Sequence, residues 1–198
     1  MSVPKRAIFL VLLLSAIAAS QAQTDKTARK HDLEVFGGYS YLYPIGKPYP
    51  EASFFPPSGS GFNVGLDFRI HRPLSLEGEV SVFPTTSCGC SDLGNPIGTT
   101  FVFGPRYSFP VPESFRFKPF AGVLLGASAY TSNAQYVRPN NVSFAFDFQG
   151  GLDYRLTSRL AIRGAGAYVR STLSNAAPGG PSEGYGRAQV DIDLVYRF

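Results

Sequence analysis

Tryptophan is absent from this 198-residue chain, methionine occurs once, and histidine and cysteine occur twice each. The two sulfurs, Cys88 and Cys90, have no histidine beside them and do not complete a zinc site, which wants four ligands. No metal and no cofactor is therefore expected. In an oxidising exterior Cys88-Gly89-Cys90 reads as a tight loop disulfide or as two exposed thiols. Long apolar runs are also missing. The one candidate, Ala7 to Ala19, falls short of the roughly 20 residues a spanning helix needs. Charge of either sign is in small excess, 18 Lys and Arg against 14 Asp and Glu, and that surplus falls further once Lys5 and Arg6 are set aside. Such a balance carries no signal for nucleic acid.

What the chain does contain begins with an export signal. Lys5 and Arg6 precede the apolar run, and Ser20 and Ala22 follow it as small residues, the layout of a secretory signal peptide over residues 1–22 with cleavage after Ala22. A polar leader over 23–31 follows, and 32–198 is expected to form one domain. An exported chain without a spanning helix can still enter a bilayer, but only as a closed barrel, because open sheet edges go unsatisfied in lipid. About 175 residues suffice for eight strands of about ten residues each.

The final segment shows that pattern most cleanly. Ala188, Val190, Ile192, Leu194, Tyr196 and Phe198 alternate with Gln189, Asp191, Asp193 and Arg197, so a period of two separates an apolar stripe from a charged one. The same rhythm predicts strands over Asp32 to Tyr43, Gly61 to Ile70, Leu74 to Phe83, Gly98 to Phe109, Arg116 to Tyr130, Val142 to Arg155, Arg159 to Arg170 and Arg187 to Phe198. Long connections rich in Pro, Gly, Ser and Asn (Pro44 to Ser60, Pro84 to Ile97, Thr131 to Asn141, Ser171 to Gly186) alternate with short ones. The short ones are His71 to Pro73, Pro110 to Phe115 and Leu156 to Ser158. The fold expected is an all-β, eight-stranded antiparallel up-and-down transmembrane barrel with short turns and both termini on the periplasmic side.

If the aromatic face meets lipid, the opposite face carries Glu34, Asp67, Glu77, Glu79, Asp147, Asp153, Asp191 and Asp193 with Arg69, Arg106, Lys118, Arg155, Arg163 and Arg197. An eight-stranded barrel is only wide enough for its own side chains, so these groups are expected to neutralise one another in the lumen. Parity alone leaves open which face is inside; burial of Asp191 and Asp193 decides it. Phe36, Leu42, Phe120 and Leu124 fall on the charged face and are expected to pack as plugs. A hydroxyl nucleophile would need a base at the outer end. His31 and His71 both fall at the other end, so the chain is expected not to be an enzyme.

The terminal strand, with Phe198, Tyr196, Leu194, Ile192 and Val190 at every second position, resembles the recognition signature of outer-membrane barrels. Val35-Phe-Gly-Gly-Tyr-Ser-Tyr-Leu42 and Gly150-Gly-Leu-Asp-Tyr-Arg-Leu156 are similar to strands of small outer-membrane β-barrel domain proteins related to the transmembrane barrel of outer-membrane protein A. The resemblance covers the mature chain and implies insertion by the barrel assembly machinery, a monomer in outer-membrane lipid and lipopolysaccharide, and no catalytic residues. It does not extend to a peptidoglycan-binding domain. The function expected is structural or surface-interactive, and the alternative is a narrow channel or small-ligand transporter.

Overall fold

The computed structural model describes residues 33–45, 59–84, 97–112, 114–131, 141–174 and 182–198. The signal peptide, the leader, Cys88 and Cys90, and most of the long connections lie outside the described residues. The described part forms eight strands: β1 (Leu33–Ile45), β2 (Gly59–His71), β3 (Leu74–Pro84), β4 (Ile97–Ser108), β5 (Phe117–Thr131), β6 (Asn141–Arg155), β7 (Leu160–Ser174) and β8 (Ser182–Arg197). Each pairs antiparallel with the next, and β1 pairs with β8, so the sheet closes on itself. Closure leaves no edge strand with unpaired N–H and C=O groups.

Strand ends at the short-turn side lie within one residue of the sequence expectation. At the other side several strands run further: β1 to Ile45 rather than Tyr43, β2 from Gly59 rather than Gly61, β7 to Ser174 rather than Arg170, and β8 from Ser182 rather than Arg187. Ser171 pairs with Tyr185, and the ladder continues to Ser174 opposite Ser182, so much of the expected connection Ser171 to Gly186 is hairpin. The cause is that backbone pairing continues where hydrophobic alternation stops. Gly, Ser and Thr carry the same ladder groups as Val or Phe, and only the side chains ceased to advertise a strand. Phe198 falls just outside β8, yet its N–H donates to the Leu33 carbonyl at 3.0 Å.

The period of two sorts side chains by chemistry. Asp191 and Asp193 are each 3% exposed, while Ile192 between them is 61% exposed. The same inversion holds around the wall. Phe62, Val64, Leu66 and Phe68 of β2, Phe101 and Phe103 of β4, and Phe144 and Phe148 of β6 face outward, whereas Asn63, Asp67, Arg106, Asp147 and Gln149 are buried. An apolar surface of this extent is far beyond the patch an ordinary water-soluble monomer exposes. Near the short turns the outer face becomes an aromatic ring, with Tyr107 and Phe109 at 5.2 Å between centroids, Phe117 and Tyr154 at 4.9 Å, and Tyr196 and Phe198 at 4.9 Å. Aromatic girdles of this kind mark the interface of membrane barrels, and here Phe and Tyr fill that place without Trp. Among the described residues no helix is long and apolar enough to cross a membrane. The strands are what cross.

Candidate functional site: the charged lumen

The lumen is stratified along the barrel axis, and each stratum follows from inward parity plus register. Nearest the short turns, four carboxylates meet four guanidinium groups. Arg106 of β4 pairs with Asp67 of β2, with Asp153 of β6 at 3.0 Å and with Glu77 of β3 at 3.4 Å. Arg163 of β7 pairs with Asp153 at 2.8 Å, Glu77 at 3.3 Å and Glu34 of β1 at 3.5 Å. Arg197 of β8 reaches Glu34 at 2.9 Å and Asp153 at 3.5 Å, and Arg69 of β2 reaches Glu34 at 3.3 Å. Seven of the eight strands thus share one neutral network, and β5 joins it through an aromatic ring.

That ring is Phe120, which lies 3.8 Å from the Arg106 guanidinium carbon and 5.1 Å from that of Arg163, while Phe36 lies 4.6 Å from Arg163. These two phenylalanines are therefore cation-π partners in a desolvated setting. Room for them comes from glycine on the neighbouring strand. Phe36 lies opposite Gly65 and Phe120 opposite Gly151. A Cβ at Gly151 would lie 2.8 Å from the Phe120 ring, and one at Gly65 would meet the Phe36 ring and sit 2.6 Å from the Gly78 carbonyl.

The next stratum is acidic. Glu79, Asp147, Asp191 and Asp193 are all buried, and no ion pair reaches any of them among the described residues. Amides and hydroxyls serve them instead. Ser81 donates to Glu79, Ser40 donates to Asp191, and the Gln189 amide donates to Asp191 at 3.0 Å and to Glu79 at 3.3 Å. Gln149 links this stratum downward by donating to Glu77. The Asn63 side chain and one oxygen each of Asp147 and Asp193 have no hydrogen-bond partner among the described residues. No group of three or more His, Cys, Asp or Glu is arranged there to hold a metal ion. Above it, Val102, Leu124 and Ala145 cluster, and Arg187 donates to Ser128 at 3.2 Å and Ser171 at 3.4 Å.

Of the fourteen charged residues named from sequence, the structure brings Glu34, Asp67, Arg69, Glu77, Arg106, Asp153, Arg163 and Arg197 together by ion pairs. Glu79, Asp147, Asp191 and Asp193 lie in the lumen without an ion pair to those arginines, although Asp193 stands opposite Arg163 in the β7–β8 register. Lys118 and Arg155 stand at the short-turn mouth, half-buried. Phe36, Leu42, Phe120 and Leu124 are buried on the inner face. The charge set named from sequence omitted Arg187, which is buried in the lumen, whereas the alternation itself puts the amides Asn63, Gln149 and Gln189 on the polar face. Arg187 opens the strand expected over Arg187 to Phe198 and shares parity with Asp191 and Arg197, so the alternation contained it. Val190, Ile192, Leu194, Tyr196 and Phe198 are all exposed on the outer face.

A closed eight-stranded antiparallel barrel with an ionic interior and an apolar exterior is the fold of the small outer-membrane barrels. Neisserial surface protein A is similar over 86% of this chain and 99% of its own, with a TM-score of 0.66 at 11% identity. The attachment invasion locus protein Ail of Yersinia pestis is similar over 86% of this chain and 100% of its own, with a TM-score of 0.58 at 12% identity. OprG of Pseudomonas aeruginosa covers 88% of this chain and 99% of its own, with a TM-score of 0.53 at 12% identity. No protein-family model and no curated protein sequence matches the chain.

Proposed function

We propose that the chain is an integral outer-membrane barrel whose lumen is held shut by its ion-pair network, and that it acts in envelope integrity and surface contact rather than in catalysis. The observation that carries this reading is the inversion of polarity: carboxylates and arginines buried, an aromatic and aliphatic belt exposed. Only a hydrocarbon surround makes that arrangement favourable. The long connections would face outward, with lipid and lipopolysaccharide as the immediate surroundings and a monomer as the unit. Two of the similar structures bear names of a surface protein and an attachment protein, which accords with a surface-contact role. The outward stripe from Val190 to Phe198 is read as the address for the barrel assembly machinery. Expressed in a Gram-negative host, the chain is expected in the outer-membrane fraction with heat-modifiable mobility, and deletion of Phe198 is expected to lower that yield strongly. Recovery as a soluble periplasmic protein would sink the reading, and an unchanged yield without Phe198 would sink the address.

One observation favours a second reading, a narrow passage. Among the described residues no ion pair reaches the acidic stratum, and buried polar groups without a protein partner are ordinarily satisfied by water. Such a passage would prefer cations.

A further inference from the structure

The short-turn mouth of the barrel opens into a cavity of about 280 Å³, and among the described residues that line it the charges do not cancel. Glu34, Asp67 and Asp153 line it, but their oxygens are engaged by Arg69, Arg106, Arg163 and Arg197, which with Glu77 make four acids against four guanidinium groups. Arg72, Arg116 and Lys118 line the same cavity and make no ion pair among the described residues. Lys118 is the most telling of the three. It is half-buried and stands opposite Asp153 in the β5–β6 register, yet Asp153 is already shared by three arginines. A part-buried ammonium is costly without a counter-charge of its own, and among the described residues the carboxylates that act on Lys118, Asp153 and Glu34, are already engaged by arginines. Arg155 adds a further guanidinium to the lining and donates to the Phe115 carbonyl at 3.2 Å.

We propose that this mouth is a binding site for a phosphate-bearing anion. Three cations converging on one cavity call for more than one negative charge and several acceptor oxygens. A phosphate group carries about −1.5 to −2 at neutral pH and suits both the guanidinium fork and the ammonium. The volume lies just under the roughly 300–1,000 Å³ of ordinary small-ligand pockets, so one phosphate or pyrophosphate fits and a polymer does not. Phe109, Pro112 and Phe115 supply an apolar wall on one side. Phe115 is also exposed at the outer rim beside the aromatic girdle. The phosphate could therefore reach the site on a soluble molecule or as the headgroup of a neighbouring phospholipid.

The test uses the full barrel folded in an uncharged maltoside detergent. Inorganic pyrophosphate is titrated by calorimetry, and in parallel native mass spectrometry compares retention of short-chain phosphatidylglycerol with that of phosphatidylcholine. Binding of pyrophosphate alone assigns the site to soluble phosphoanions; preferential retention of phosphatidylglycerol assigns it to a lipid headgroup. Lys118→Met and the double variant Arg72→Gln, Arg116→Gln are each expected to weaken whichever ligand binds by about tenfold or more, the loss of one or two charge-assisted contacts. None of these side chains belongs to the ion-pair network, so heat-modifiable mobility is retained and serves as the folding control. Arg170→Gln, on the outer face of β7, is expected to bind like the parent chain. The proposal is overturned if neither probe binds, or if both mouth variants bind as tightly as the parent.

Discussion

At the scale of single residues, Arg106 shows why a buried charge in this lumen is tolerated. Its guanidinium is 1% exposed and lies among Asp67, Glu77 and Asp153 with the Phe120 ring against it. A buried pair gains little over a well-packed apolar substitute, but removing one partner strands the others. Arg106→Met leaves three carboxylates short of a cation and is expected to destabilise the barrel by about 3–5 kcal/mol, measured by denaturant unfolding in liposomes. Adding Asp67→Asn to that background is expected to return part of the loss, since one stranded charge is then removed. A single variant as stable as the parent would show that the network does not hold the wall together.

A strand is decided by which of its two faces meets which medium, and β8 carries the contrast most fully. Val190, Ile192 and Leu194 face outward, while Gln189, Asp191 and Asp193 between them face the lumen. Ile192→Arg places a charge in the middle of the outer belt, where a lipid-facing arginine costs about 2–4 kcal/mol. Unfolding in lipid is expected to show that loss. In a water-soluble barrel the same change would fall within about 0.5 kcal/mol, as surface substitutions usually do. A near-zero effect in liposomes would place the belt outside the bilayer.

For the whole molecule the deciding question is whether the strata close the lumen. The neutral network spans β1 to β4 and β6 to β8, and Phe120 of β5 packs against Arg106, so the short-turn half is filled from every side. Planar bilayers containing the protein are expected to show no discrete conductance steps at any applied voltage. Cation-selective steps would favour the passage reading instead, with the acidic stratum of Glu79, Asp147, Asp191 and Asp193 as its lining. From the short-turn mouth inward, the described lining runs from cationic, through neutral, to acidic, with Arg187 above it.

Alternation alone determined the strand count, the succession of long and short connections and the membership of each face, because a period of two is a local property that needs no partner. It left Ser171 to Gly186 to a loop, since Gly and Ser near the β7–β8 hairpin continue the ladder without continuing the hydrophobic signal. Only the tertiary structure decided which face is inside, because inversion of a closed sheet preserves every local spacing. It also decided that Asp153 serves three arginines while Asp191, about 7 Å along β8 from the register level that Asp153 shares with Arg163, serves none. Ion pairing depends on register between strands distant in sequence, such as Glu34 with Arg197 across the closure of β1 and β8, and register becomes fixed only when the barrel shuts.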